Sequence, residues 1–271
     1  MFQLHHVPSL DLPELAPYRT MRRPAGHVDQ RIFIAEGEKL VRRLLVSDFE
    51  VVSVVLPQHR LAEFEALLAA RPENFPVFIV PKAELEKLVG FDMYQGVIAV
   101  SRFPPPRTLP EILHHSPRPW LLVALDELAS AENLGVIVRN CAAFGVQALI
   151  AGETCTSPFM RRSVRNSMGG IFKLPVVEPS SLVATLRELR GLGVKCIATH
   201  LDAKSLTLAR ADLRGDTCLV LGSEGHGLSA AVLAACDEAI SIPMANDVDS
   251  LNVGNAAAVF LYEAARQRGR M

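Results

Sequence analysis

Three short segments carry residues whose types and spacing could do chemistry. In SAENLGVIVRNCAAFGV (130–146), Asn133, Gly135 and Arg139 fall within one predicted helix. Gly135 and Arg139 are four apart and share a stripe of that helix. A bare Gly beneath a guanidinium leaves a groove floor from which a ligand can reach the charge, and a Gly in a helix interior costs about 1 kcal/mol against Ala. In LVLGSEGHGLS (219–229), a buried strand runs into a Gly-rich turn with a single acid, Glu224. Glycines let backbone approach a ligand closely. In IPMANDVDSLNVGNAAAVFLYEAA (242–265), a polar stretch separates a β-branched run from the last helix. Ser250 is placed to cap that helix, with Asn252 in its first turn beside free backbone N–H groups.

Each segment also has a plain structural alternative. Gly135 could serve helix packing, with Arg139 paired to a surface carboxylate. The glycines of 222–227 could make a tight strand–helix connection capped by Ser229, and 244–250 could be a capped loop without function. Other chemistries lack residues. G-x-G-x-x-G is absent from the turn at 127–135, as is G-x-x-x-x-G-K-[ST], and no G-x-S-x-G elbow accompanies the eight histidines. His5–His6 and His114–His115 fall in irregular segments and read as surface residues. The five cysteines form no C-x-x-C pair, so neither a zinc site nor a disulfide framework is expected, and a reducing cytoplasm is the expected home. No apolar run approaches the ~18 residues of a membrane span, and no signal-peptide pattern opens the chain. The net charge of −1 argues against a non-specific nucleic-acid coat. Three basic patches remain, at 18–24, 38–45 and 159–166, each readable as a solvated face.

The elements that must position these residues alternate. Expected strands lie at 32–37, 50–57, 76–81 and 96–102, with helices at 38–47, 60–70 and 82–90. A window with six prolines, 101–120, precludes continuous helix or a central strand. Beyond it come strands at 120–127, 146–152, 171–178, 194–200, 217–222 and 239–243. Helices are expected at 131–145, after Ser157-Pro158, and at 180–192, 229–236 and 251–268. This alternation argues for a parallel sheet covered on both faces. Ligands bind beyond the carboxyl ends of such strands, which points to the loops after 200, 222 and 243. The expected organisation is an extension (1–30) with one weak helix, a small α/β domain (31–102), a proline-rich linker (103–118) and a larger α/β domain (119–271).

In this order and spacing, the three segments resemble the signature of the SpoU-like (TrmH-type) RNA ribose 2′-O-methyltransferases of the SPOUT superfamily. VRNSMGG (164–170) resembles the family's segment between the first two motifs, and FIAEGEKLV and YQGVIAV (94–100) resemble its small substrate-binding domain. The likeness covers about residues 30–268. His226 departs from it, standing where a lysine or other polar residue is common, and the first 30 residues match nothing.

The resemblance implies a parallel-sheet catalytic domain closed by a C-terminal trefoil knot and preceded by a small α/β RNA-binding domain. It implies S-adenosylmethionine as cofactor, RNA as partner with ribosomal RNA favoured over transfer RNA, a homodimer, and neither metal nor membrane. By the same likeness Arg139 activates the 2′-hydroxyl, and Asn133, Glu224, Ser250 and Asn252 complete the catalytic set. Gly222, Ile242, Met244 and Leu251, joined by Thr199, hold the cofactor, and Arg161, Arg162 and Arg165 meet RNA phosphates. A guanidinium stays protonated in proteins, so Arg139 is better suited to stabilise a developing oxyanion than to take a proton. The alternative is an RNA-binding protein of the same fold without transferase activity, in which damaged motifs are expected.

Overall fold

The computed structural model describes residues 2–23, 25–89, 96–200, 205–246 and 248–270. It divides into two compact units, one of residues 1–105 with 159–172, the other of 106–158 with 173–271.

The first unit begins with β1 (Phe2–His6), then the short helices α1 (Ala16–Arg19) and α2 (Ala25–Asp29). It continues through β2 (Ile32–Glu36), α3 (Glu38–Leu45), β3 (Val51–Leu56), α4 (Leu61–Ala69), β4 (Phe75–Ile79), α5 (Lys82–Val89) and β5 (Ile98–Arg102). The strands order as β1-β4-β3-β5-β2, with β5 antiparallel to both neighbours. Leu10, Leu15, Tyr18 and Met21 join Ile34, Phe78, Ile98 and Val100 in one core. Tyr18 is fully buried, and its hydroxyl lies 2.7 Å from Ser53 Oγ. The stretch expected to be an extension with one weak helix thus supplies an edge strand and four core side chains. β1 holds one short alternation, Phe2 and Leu4 against Gln3 and His5, but it breaks at His6 and four of its five residues are exposed at the sheet edge, too brief and polar a signal to mark a half-buried strand. Tyr94 and Gln95 of YQGVIAV, and Pro24 of the first basic patch, lie outside the described residues.

The second unit opens with α6 (Leu109–His114) inside the proline-rich window. Pro110 is tolerated because it stands in the first turn, and Thr108 and Glu111 close a capping box. Then follow β6 (Leu121–Leu125), α7 (Ala131–Ala143) and β7 (Ala148–Ala151). Residues 159–172 pack in the first unit. There α8 (Arg161–Asn166) begins later than Ser157-Pro158 suggests, with Met160 at its N-cap position and no side-chain cap. Phe159 and Phe172 stand 5.6 and 6.2 Å from the ring of Phe33. The chain resumes in the second unit with β8 (Val176–Val177), only the end of the strand expected at 171–178, because Gly170–Phe172 turns as a 3-10 helix. It ends with α9 (Leu182–Gly191), β9 (Lys195–Thr199), β10 (Leu206–Thr207), β11 (Thr217–Leu221), α10 (Ala230–Ala235), β12 (Glu238–Ser241) and α11 (Val253–Gln267).

These seven strands order as β10-β12-β9-β11-β6-β7-β8, every pair parallel. All five residues of β6 and of β11 are buried, as a sheet covered on both faces requires. One face meets α6, α9 and α10 through Leu122, Val220, Ile112, Leu186 and Val232. Alternation turns Leu121, Val123 and Leu125 to the other face. α7 and α11 pack against each other. A Cβ on Gly254 would lie 2.8 Å from Val136 Cγ1, so glycine sets their closest approach. No helix among the described residues is long and apolar enough to cross a membrane.

Candidate active site

A cavity of about 470 Å³ opens at the carboxyl ends of β9, β11 and β12, where parallel α/β sheets place ligands. Its size falls in the range of small-molecule sites. Three walls come from Thr199 and His200 at the end of β9, from the 222–227 loop, and from Ile242, Met244 and residues 250–252 after β12, and a fourth from the first two turns of α11.

The 222–227 loop is held by its own backbone. Ser223 N–H donates to Gly227 O at 2.9 Å, and Gly227 N–H returns to Ser223 O at 3.1 Å. Gly227 needs its positive φ of 69° to close this bridge. At Gly222 an added Cβ would fall 2.2 Å from the Gly227 carbonyl carbon, which no side chain survives. Behind the loop, buried Asp126 accepts from Ser229 N–H at 2.8 Å, and Ser229 caps α10 as expected.

The last loop ends differently from the sequence expectation. Asn252, not Ser250, is the N-cap of α11: its Oδ1 accepts from Gly254 N–H at 2.9 Å and Asn255 N–H at 3.4 Å. The helix begins at Val253, so only a side chain at 252 reaches the free N–H groups. Ser250 is exposed and lines the cavity. Asp247 lies outside the described residues.

One chain of hydrogen bonds joins the three segments. Asn252 Nδ2 donates to Asn133 Oδ1 at 3.0 Å, and Asn133 Nδ2 donates to Glu224 Oε1 at 2.7 Å. Asn133 is positioned by the start of α7, where Ser130 Oγ accepts its backbone N–H at 3.2 Å. Both ends of its amide are occupied, by an acceptor on the Gly-rich loop and a donor on the last loop.

Of the residues expected in the site, Thr199, Gly222, Ile242, Met244 and Leu251 all line the cavity, as do Glu224, Ser250 and Asn252. Asn133 reaches it through Glu224 and Asn252. Arg139 is not in its wall; it is exposed on α7, six residues or about 9 Å of helix axis beyond Asn133. Arg161 and Arg165 converge on the buried carboxylate of Glu36 in the first unit, Arg161 Nε at 2.8 Å and Arg165 at 3.4 Å, and Arg162 is exposed beside them. Lining residues that the sequence did not single out include His200, Ser241 and Phe260. Val253, Ala256 and Phe260 recur at helical spacing, a signal of one shared face of α11. Burial pushes the thiols of Cys141 and Cys155 upward, which makes them packing groups rather than nucleophiles. No cluster of ligating side chains that could hold a metal occurs among the described residues.

Comparison with known proteins gives two family matches, the SpoU rRNA Methylase family over residues 120–262 and the RNA 2′-O ribose methyltransferase substrate-binding family over 34–107. The chain is 32% identical to an uncharacterized tRNA/rRNA methyltransferase of Mycobacterium tuberculosis, over 94% of this chain and 90% of that protein. It is 34% identical to the 23S rRNA (guanosine-2′-O-)-methyltransferase RlmB of Acinetobacter baylyi, over 73% of this chain and 82% of that one. An AdoMet-bound rRNA methyltransferase of Sinorhizobium meliloti superposes with a TM-score of 0.85 at 28% identity, covering 97% of this chain and 98% of that one. The SpoU methyltransferase AviRb of Streptomyces viridochromogenes, in complex with AdoMet, gives 0.79 at 26% identity over 94% and 100%.

Proposed function

This chain belongs to the SpoU rRNA methylase family, and from that premise we infer how its cavity serves methyl transfer to a ribose 2′-hydroxyl of RNA. The chain is an S-adenosylmethionine-dependent RNA methyltransferase. The observation that carries the assignment of roles is the Asn252–Asn133–Glu224 chain, which ties all three motifs around one cavity. Nothing favours an RNA-binding protein without activity, since every motif residue that such a protein would be expected to lose is in place.

The cavity fits the cofactor. Leu221, Ile240, Ile242 and Leu251 offer apolar surface for a purine and a methylene chain, while the hydroxyls and backbone amides of the loops offer hydrogen bonds to a ribose and an amino-acid group. Gly225 leaves backbone bare beside it, with nothing within 4 Å of a Cβ built there, while the bare Cα of Gly222 lets the loop close on Gly227. When bound, the sulfonium supplies an activated methyl group.

The chain's own task is alignment and charge. Asn133 holds the Glu224 loop and the Asn252 loop at fixed distance, so both walls meet the ligand preorganised. Glu224 and Ser250 face the cavity and orient the ribose. Arg139, exposed and without an ion-pair or hydrogen-bond partner among the described residues, offers a permanent positive charge to the oxygen as it loses its proton. On α8, Arg161, Arg162 and Arg165 meet RNA phosphates, with Glu36 holding Arg161 and Arg165 in place. Phosphate contacts position RNA without selecting its sequence.

The finer architecture is part of the same proposal. A trefoil knot at the C-terminus is supported by α11 packing on α7 after a loop that meets Asn133 and the Glu224 loop. A methyltransferase domain and a smaller RNA-binding domain before it are supported by the two family matches, over 120–262 and 34–107, with residues 1–30 and 159–172 added to the smaller one, in whose unit they pack. A homodimer is supported by the exposed apolar strip of Val259 and Tyr262 on α11, with Phe144 of α7 6.4 Å from the Tyr262 ring. Ribosomal RNA is the favoured substrate, and five free thiols agree with a cytoplasmic enzyme.

The test is Arg139→Ala. Calorimetry is expected to show cofactor binding retained, and tritium transfer from labelled S-adenosylmethionine into RNA is expected to fall roughly 100-fold or more, the usual loss with an oxyanion-stabilising group. Full transfer by this variant would remove Arg139 from the mechanism.

A further inference from the structure

Methyl transfer to a hydroxyl releases one proton, and the residues discussed so far do not take it. Arg139 is already protonated as a guanidinium. Glu224 accepts the Asn133 amide at 2.7 Å and is a link in the chain that fixes two loops, and a carboxylate is a weaker base than an imidazole. The ionisable side chains in the cavity wall, among the described residues, are Glu224, His200 and His226. The two imidazoles differ in setting. His200 is half-buried at the end of β9, its N–H bonded to Ile240 O at 2.9 Å, and it also borders a second cavity lined by Cys236 and Asp237. His226 stands on the Gly-rich loop two residues from Glu224, exposed at the cavity, and its ring has no hydrogen-bond or ion-pair partner among the described residues. Its backbone is nonetheless fixed, inside the Ser223–Gly227 bridge and with its N–H 3.3 Å from Ser223 Oγ. A ring free at its tip and anchored at its root is suited to general-base work, which needs hydrogen-bond reach and a proton affinity near the working pH.

On the methyltransferase reading above, on which this rests, we infer that the imidazole of His226 accepts the proton of the ribose 2′-hydroxyl. The O–H bond breaks as the O–C bond forms, and the C–S bond breaks with its electron pair left on sulfur as a neutral thioether. The proton passes to the free ring nitrogen of neutral His226, and the imidazolium returns it to bulk water through its exposed edge. The other titratable groups that line the cavity are Glu224 of the same loop and His200 after β9.

The experiment uses the full chain with tritiated S-adenosylmethionine and unmodified ribosomal RNA, and begins with wild type. Absence of transfer by wild type, with cofactor bound, would overturn the functional reading and this inference with it. Given wild-type transfer, His226→Ala is expected to slow single-turnover transfer about 100-fold, to bind S-adenosylhomocysteine as wild type does in calorimetry, and to recover speed when imidazole is added. In wild type the rate is expected to fall on the acid side of an imidazole titration, and this limb is expected to vanish in His226→Gln. The His226 ring signal in NMR is expected to move when S-adenosylhomocysteine binds. Unchanged rates in both His226 variants, a defect confined to KM for RNA, no rescue by imidazole, or loss of the acid limb in His200→Gln instead would each overturn it.

Discussion

At the scale of single residues, Asn133 is the hinge of the site. Its amide accepts from one motif and donates to another, so its orientation is set by two partners at once. Those partners lie 119 and 91 residues away in sequence. The residue types were therefore legible, Asn, Glu and Asn at motif spacing, but the bonds between them were not, because no local rule spans such separations. Asn252 illustrates the same divide. Its place in the site was readable, but its work as helix cap was not, because Ser250 offers an equally good cap two residues earlier. Asn252 now has two roles, so Asn252→Ala is expected to cost about 1 kcal/mol of stability for the lost cap and, separately, to impair methylation by freeing Asn133. Thermal melting and tritium transfer measure the two. Stability lost with transfer intact would return 244–252 to a capped loop.

At the scale of elements, the buried strands were legible and the exposed ones were not. β6 reads as an unbroken apolar run, and β11 does from Cys218 onward, because the sheet is covered on both faces, whereas β1 shows mostly polar residues to solvent. The far end of α11 carries a prediction of its own. Gln267 donates to Ala211 O at 2.9 Å and accepts from Leu213 N–H at 2.8 Å, and Arg268 donates to four carbonyls, those of Leu213, Gly215, Pro119 and Trp120. Glu263 joins this anchor through Arg266 at 2.7 Å and Gln267 at 2.8 Å, and these bonds, Arg266 first, bring its carboxyl down to about 2. The folded value lies below the unfolded one. The contribution is therefore whole above the ordinary glutamate value of about 4.3 and is lost as pH falls toward about 2. Glu263→Gln is expected to remove this part of the acid sensitivity, so that the stability gap between wild type and variant closes over that window. A gap that stays constant from pH 6 to pH 2 would show that Glu263 does not tune the anchor.

For the whole molecule, the sequence placed the cavity correctly at the loops after 200, 222 and 243, because a parallel sheet concentrates ligands at its carboxyl edge. The proposed threading and assembly were beyond pattern reading. Periodicity says which face of a helix is apolar, not through which loop the chain has passed, and the return of 159–172 to the first unit has no local signature. Assembly is tested on α11: Val259→Asp, at an exposed position outside the cavity wall, is expected to shift the species seen by light scattering from dimer to monomer with little change in monomer secondary structure. A wild-type chain that is already monomeric would remove that part of the proposal. The central claim is that the cavity sends its methyl group to a ribose oxygen and not to a base. A 2′-O-methyl group blocks alkaline cleavage of the following phosphodiester. After reaction with tritiated S-adenosylmethionine, alkaline digestion of the ribosomal RNA is expected to leave the label in alkali-resistant dinucleotides; label released wholly as mononucleotide would contradict the account.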